Sequence, residues 1–172
     1  SVAITGSAGK TSLKEMLGQM ISKLCQTSYS KKSFNNKYGV PISLFNINER
    51  DKIGIFEVGM NKKGEIDLLT KNILPNIGVI TNISYAHIEN FKNLKSIAQA
   101  KSEIINNIVE NGTIILNADD QFYNFLKLKA EKKNLTVISF GVKKNSNLHL
   151  IKIKKEKSNS ILFINYNNSN LM

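Results

Sequence analysis

One cysteine, two prolines and a single arginine in 172 residues narrow the possibilities before any motif is read. Cys25 has no second cysteine to pair with, so a disulfide framework and a cysteine-based metal site are both excluded within the chain. Its spacing assigns it to the apolar face of a helix. No apolar run approaches the ~20 residues that a membrane span needs, and no basic segment followed by an apolar stretch looks like a secretory signal. A soluble cytoplasmic protein with no membrane span is the expectation. Acidic side chains are scarce as well: 13 against 24 basic ones, a net charge of +11. That imbalance raises nucleic acid as a partner. Arginine dominates specific contacts to bases and phosphates, and here Arg50 stands alone, while the lysines are scattered and lack interleaved aromatics. No nucleic-acid partner is expected, and the tract from Lys152 to Lys157 reads as the solvated face of a hairpin.

Against these absences stands one dense motif. Thr5 to Ser12 reads T-G-S-A-G-K-T-S, after the apolar run Val2-Ala3-Ile4 and before a helix-like stretch. Gly6 and Gly9 allow a tight turn with backbone N–H groups against phosphate oxygens, and the following helix aims its positive end at the same anion. Gly6, Ser7, Ala8, Gly9, Lys10, Thr11 and Ser12 are therefore the candidate nucleotide-binding residues. Lys10 is placed on the outer phosphates and the Thr11 hydroxyl on Mg²⁺. The common phosphate loop has four residues between its glycines; this chain has two, Ser7 and Ala8.

Apolar runs alternate with amphipathic stretches along the rest of the chain, which predicts an α/β fold: a P-loop-type parallel sheet flanked by helices. Strands are expected at 2–5, 53–57, 77–81, 113–116 and 135–140, with a weaker one near 27–30. Helices are expected at 11–24, 40–47, 65–73, 94–109 and 121–132. Period-two alternation over 148–154 and 160–165 predicts a small antiparallel β hairpin at the C-terminal end. The length suits one domain, and with Ser1 entering the first strand at once the chain reads as a segment of a longer enzyme.

Ligands of open parallel sheets sit outside the carboxyl ends of the strands, so polar residues there are the ones to weigh. Glu57 ends Ile53-Gly54-Ile55-Phe56, where a carboxylate reaches an Mg²⁺ held by Thr11 and a triphosphate. His87 follows the strand ending at Thr81-Asn82, where an imidazole serves a second metal or a phosphoryl oxygen. Each has a bland alternative, a helix N-terminal charge for Glu57 and a surface loop for His87. Lys101 lies within an amphipathic helix, where a lysine ordinarily extends to solvent. Asn35 and Asn36 precede Gly39-Val40-Pro41 and either cap a helix or contact a ligand; residue types alone do not decide.

These segments together carry a family resemblance. T-G-S-A-G-K-T-S followed by Lys14-Glu15-Met16, S-F-N-N-K-Y-G-V-P at Ser33 to Pro41, E-V-G-M with G-E-I at Glu57 to Ile66, T-N-I-S-Y-A-H-I-E at Thr81 to Glu89, A-K-S-E-I at Ala100 to Ile104 and L-N-A-D-D at Leu116 to Asp120 resemble the central ATPase domain of the Mur ligases. Within that family the chain is most similar to the branch that attaches D-alanyl-D-alanine to UDP-N-acetylmuramoyl-tripeptide in peptidoglycan precursor synthesis. The resemblance implies ATP and Mg²⁺ as cofactors, those two small molecules as substrates, a monomer, and an acyl-phosphate intermediate. It implies three domains, of which only the central one is here, with a UDP-sugar-binding domain before it and a ligase domain after it. The family's Gly-x-His-Asn segment is expected beyond Met172. By the same resemblance Thr11 and Glu57 hold one Mg²⁺, His87 helps hold the second, and Lys101 matches a lysine that carries CO₂ as a metal-bridging carbamate in sister enzymes. Asn35 and Asn36 match the loop facing the muramoyl peptide. Folylpolyglutamate synthases share the architecture but typically continue with Gly-Gly-Arg where this chain has Asn61-Lys62-Lys63. A non-catalytic nucleotide-binding module has no need of His87 and Lys101.

Overall fold

Short β-branched runs, buried on both faces, assemble into the middle of the sheet, and the polar residues between them turn the chain back each time. A computed structural model describes residues 1–85, 90–157, 159–166 and 169–171. The strands are β1 (Val2–Thr5), β2 (Thr27–Tyr29), β3 (Ile53–Glu57), β4 (Ile77–Ile80), β5 (Thr113–Asn117), β6 (Thr136–Gly141), β7 (Leu148–Lys155), β8 (Ser160–Tyr166) and β9 (Ser169–Leu171). The helices are α1 (Lys10–Ile21), α2 (Gly39–Phe45), α3 (Glu65–Ile73), α4 (Leu94–Lys101) and α5 (Tyr123–Glu131). The strands lie in the order β2-β3-β1-β4-β5-β6-β7-β8-β9. Pairing is parallel from β2 through β7 and antiparallel from β7 to β9.

The connection leaving β1 runs toward the β2 side and the one leaving β4 runs toward β5, so the strand order reverses between β1 and β4. Their carboxyl ends frame a crevice, the usual ligand position in such sheets. Alternation along each strand divides the core in two. Ile4, Ile55 and Val79 face α1 and meet Leu13, Leu17 and Ile21. Ala3, Phe56 and Ile80 point to the other face, where α3, α4 and α5 supply Ile66, Leu69, Ile97, Ala98, Leu126 and Ala130. Burying a side chain such as Ile97 contributes roughly 1.5–3 kcal/mol.

Three expectations are corrected in detail. The stretch expected as one helix over 94–109 is α4 followed by a 3₁₀ segment, Ser102–Asn107. The Ser102 hydroxyl donates back to the Gln99 carbonyl at 2.7 Å, and Asn106 and Asn107 turn their amides to Asp67, so side-chain bonds tighten the last turns. Cys25 is not on a helix: α1 ends at Ile21, and the Cys25 carbonyl accepts the Thr27 hydroxyl at 3.0 Å in the turn that enters β2. The terminal hairpin gains a third strand, since β9 pairs with β8.

Glu103, buried in the 3₁₀ segment, accepts the N–H of Gly64 at 2.8 Å and of Asp67 at 3.2 Å, capping α3 from another element. Glu103→Ala leaves both donors without that partner, and urea denaturation should report a loss of about 1–3 kcal/mol. A loss below about 0.5 kcal/mol would mean that water satisfies the α3 terminus equally well.

Candidate functional site

The phosphate loop departs from ordinary backbone at both glycines. Gly9, at φ 79°, is the left-handed residue from which α1 starts. Gly6, at φ 150°, passes so close to β4 that a Cβ there would meet Thr81 Oγ1 at 1.8 Å. The residues following β4 hold the loop in this shape. Asn82 accepts the Ser7 N–H through its carbonyl at 2.9 Å and the Ala8 N–H through Oδ1 at 3.0 Å. The Thr81 hydroxyl donates to the Ala8 carbonyl at 2.6 Å, and the Ser7 hydroxyl donates to the Ser84 carbonyl at 3.0 Å. Two of the loop amides thus point to Asn82, and the start of α1 is the remaining source of N–H groups for an anion. Ser12 lies on the exposed side of α1's first turn.

Two ammonium groups converge on one carbonyl. Lys10 Nζ donates to Gly6 O at 3.0 Å and Lys101 Nζ donates to the same oxygen at 2.9 Å. Lys101 does not extend to solvent: it is 2% exposed, at the end of α4 against the loop. Burial lowers its pKa from the ordinary 10.5 to about 7, and the Lys10 charge beside it acts in the same direction. An amine so placed gives up its proton far more readily than a surface lysine.

Opposite the loop, Glu57 is 1% exposed at the end of β3. The Thr11 hydroxyl donates to Oε2 at 2.8 Å and the Asn35 amide to Oε1 at 2.7 Å. The two asparagines that sequence left undecided divide the work: Asn36 Oδ1 accepts the N–H of Tyr38 and Gly39, each at 3.0 Å, as α2 opens, while Asn35 turns inward to Glu57. A cavity of about 440 Å³ lies among Lys10, Asn35, Asn36, Tyr38, Met60 and Lys101. His87 falls outside the described residues. Lys10, Thr11, Glu57, Asn35 and Lys101 come together around Gly6 and Glu57, although sequence reasoning gave Asn35 to the peptide-facing loop and, apart from the family resemblance, left Lys101 to solvent. It missed Asn82 and Thr81 as the clamp on the loop, although both stand directly after β4, where the topology puts site residues.

The oxygen donors fit Mg²⁺. Thr11 and Glu57 are hard ligands in hydrogen-bond contact, and the recorded side-chain partners of Glu57 are neutral, with no ion pair to it among the described residues. No group of three His, Cys, Asp or Glu that could hold a metal occurs among the described residues. Mg²⁺ is commonly bound by one or two carboxylates together with water and substrate phosphates. Lys101 as an ammonium is not a metal ligand; only its neutral or carboxylated form is.

Known proteins resemble this chain over nearly all of its length. Residues 4–171 match the Mur ligase middle domain. Over 147 residues, 86% of the chain, the sequence is 40% identical to a UDP-N-acetylmuramoyl-tripeptide–D-alanyl-D-alanine ligase of Buchnera aphidicola subsp. Baizongia pistaciae, and covers 32% of that protein. MurF from Acinetobacter baumannii superposes with a TM-score of 0.92 at 30% identity, over 99% of this chain and 37% of that one. MurF from Thermotoga maritima, solved in complex with ADP, superposes with a TM-score of 0.89 at 26% identity, over 99% of this chain and 39% of that one. The chain therefore spans about a third of the length of the relatives it matches. With the short phosphate loop, the Thr11–Glu57 pair and the buried Lys101 in one crevice, and the match running over nearly all of its length, the chain belongs to the Mur ligase family, as its middle domain.

Proposed function

We propose that this chain is the ATP-binding core of a three-domain cytoplasmic ligase that adds D-alanyl-D-alanine to UDP-N-acetylmuramoyl-tripeptide. The observation that carries the reading is the convergence of Lys10, Thr11, Glu57 and Lys101 about the Gly6 turn, beside a cavity of about 440 Å³. The ADP complex of the Thermotoga maritima relative supports the nucleotide, and the names of the curated relatives support the substrates. No helix among the described residues is long and apolar enough to cross a membrane, which fits chemistry on UDP-linked and free dipeptide substrates in water.

The reaction joins a carboxylate to an amine. A carboxylate oxygen of the tripeptide bonds to the γ-phosphorus of ATP as the bond to ADP breaks; the amine of the dipeptide then bonds to the acyl carbon, phosphate leaves, and the amine loses a proton. The first step brings like charges together, so most of the help needed is electrostatic. Lys10 follows the γ-phosphoryl group, exchanging its Gly6 carbonyl for phosphate oxygens. The N-terminus of α1 binds the β-phosphate, as helix N-termini do. Asn36 and the loop it shapes border the cavity in which the tripeptide end is placed. Thr11 and Glu57 would hold one Mg²⁺ and a Lys101 carbamate, with His87 by the family resemblance, would hold a second; bound there, the ions would supply charge neutralisation for the phosphates. The lowered pKa of Lys101 supports the carbamate, which forms only on the neutral amine: nitrogen bonds to the carbon of CO₂ and a proton is released, which an ammonium cannot do.

Lys10→Ala in the full-length enzyme should cut ligation below a tenth of the wild-type rate while the protein stays folded; a higher residual rate in a coupled phosphate-release assay removes Lys10 from the reaction. Lys101→Ala should disable phosphate release, with partial rescue by small carboxylates, and ¹³C NMR of protein equilibrated with ¹³C-bicarbonate should show a carbamate resonance that the variant lacks. Full activity of Lys101→Ala in bicarbonate-free buffer overturns that role. The depressed Lys101 pKa also has a thermodynamic signature. Between about pH 7 and 10.5 the folded protein holds fewer protons at this site than the unfolded chain. The unfavourable contribution of Lys101 is complete below about pH 7 and is relieved as pH rises toward 10.5. Relative to Lys101→Met, wild-type stability should therefore climb by roughly 1 kcal/mol per pH unit between about pH 7.5 and 9.5, measured by urea denaturation. A flat difference would place the charged ammonium in a well-solvated position.

A further inference from the structure

The chain buries a second lysine that the chemistry above leaves unused. Lys14 is 0% exposed, one turn beyond Thr11 on α1. An ammonium has three N–H donors, and all three are engaged: Ser30 O at 2.6 Å, Lys32 O at 2.5 Å and Glu15 Oε1 at 2.8 Å. Two of these acceptors are backbone carbonyls in the connection from β2 to α2. Lys32 itself stands at φ 48°, a left-handed conformation that a side chain of this kind rarely adopts. After it the chain makes two short turns, Phe34 N–H to Lys31 O at 3.2 Å and Asn35 N–H to Ser33 O at 2.8 Å, and Gly59 N–H fastens the Asn35 carbonyl at 2.7 Å. The Asn35 amide then meets Glu57 Oε1.

Helix α1 thus grips one carboxylate along two routes. Thr11 reaches Glu57 Oε2 directly, and Lys14 reaches Oε1 through the carbonyls of the β2–α2 connection and Asn35. We propose that Lys14 is a positioning residue: its buried ammonium shapes the segment 30–35 so that Asn35 stays on Oε1 and turns the other oxygen of Glu57 toward Thr11, ready for a divalent cation. A hydrophobic residue of similar volume would fill the space at less desolvation cost, so what the charge adds here is geometry. The proposal rests on the metal-holding role given to Glu57 above.

The test uses the full-length enzyme as Lys14→Met, Lys14→Arg, Asn35→Ala and the Lys14→Met/Asn35→Ala double variant. Hydrogen exchange of residues 30–36 is measured in metal-free protein, and Mn²⁺ affinity by electron paramagnetic resonance with a non-hydrolysable ATP analogue. Lys14→Met should speed exchange over 30–36 about tenfold or more, with α1 little changed, and weaken Mn²⁺ about five- to tenfold, while affinity for the metal-free nucleotide analogue stays within about twofold. Asn35→Ala should weaken Mn²⁺ by a similar factor, and the double variant should be no worse than either single one. A folded Lys14→Met with unchanged Mn²⁺ affinity, or a double variant whose losses multiply, overturns the proposal. If Lys14→Met does not fold, Lys14→Arg decides, since it keeps the charge but replaces the compact three-donor head: exchange over 30–36 must rise and Mn²⁺ must weaken, and no change in either refutes it. A weakening by Asn35→Ala that Lys14→Arg or Lys14→Met fails to reproduce sinks Lys14 alone. Unchanged Mn²⁺ affinity in both Asn35→Ala and Glu57→Gln sinks the metal-holding role of Glu57, and the Lys14 proposal with it.

Discussion

A carboxyl group shut almost wholly from water at the end of a central strand, with neutral donors on both of its oxygens, is the constraint around which this molecule is arranged. Burying Glu57 is unfavourable unless its oxygens are satisfied, and the partners come from distant parts of the sequence: Thr11 from α1 and Asn35 from the β2–α2 connection. The requirement ties the polar site to the docking of α1, since the helix that brings Thr11 to Oε2 also seats Leu13, Leu17 and Ile21 on Ile4 and Ile55. It also fixes where the β2–α2 connection lies. Core packing on the α1 side and polar geometry at the crevice are one arrangement, not two.

The Gly6 carbonyl is the counterpart on the other side. It draws Lys10 from α1 and Lys101 from α4, elements on opposite faces of the sheet, onto one oxygen. Burial, reinforced by the Lys10 charge beside it, brings the pKa of Lys101 down to about 7. One carbonyl thus gathers a half-buried lysine, Lys10, and a fully buried one, Lys101, whose proton is easily lost.

Much of this was legible before any coordinates because the informative signals were local. Strand β1, the two-residue glycine spacing and Lys-Thr at the start of α1 form one continuous stretch, and the period of α3 placed it at 65–73 from pattern alone. The antiparallel pair β7 and β8 was equally visible in its alternation, while β9 was not. What was not legible depended on contacts across the sequence. Nothing in the residue types near Lys101 distinguishes a snorkelling lysine from a buried one; the difference is a carbonyl ninety-five positions away. Asn35 and Asn36 are the same residue type in adjacent places, and only the three-dimensional path sends one to a helix start and the other to Glu57. Lys14 did leave a trace, since helical spacing with Leu17, Gly18 and Ile21 puts it on the inner face, but a charged residue there reads as an exception until its acceptors are seen.

The seam between the two parts of the sheet is narrow. Strands β6 and β7 share a register of only two pairs, Phe140 with Leu148 and Gly141 with His149, braced by Asn147 Oδ1 accepting the Ser139 N–H and hydroxyl. Beyond it the β7–β8–β9 ribbon pairs with itself. Cooperativity in a sheet travels through its ladders, and one this short transmits little of it. A change in the ribbon therefore has little ladder through which to reach the phosphate loop, since β4, β5 and β6 also stand between β7 and β1.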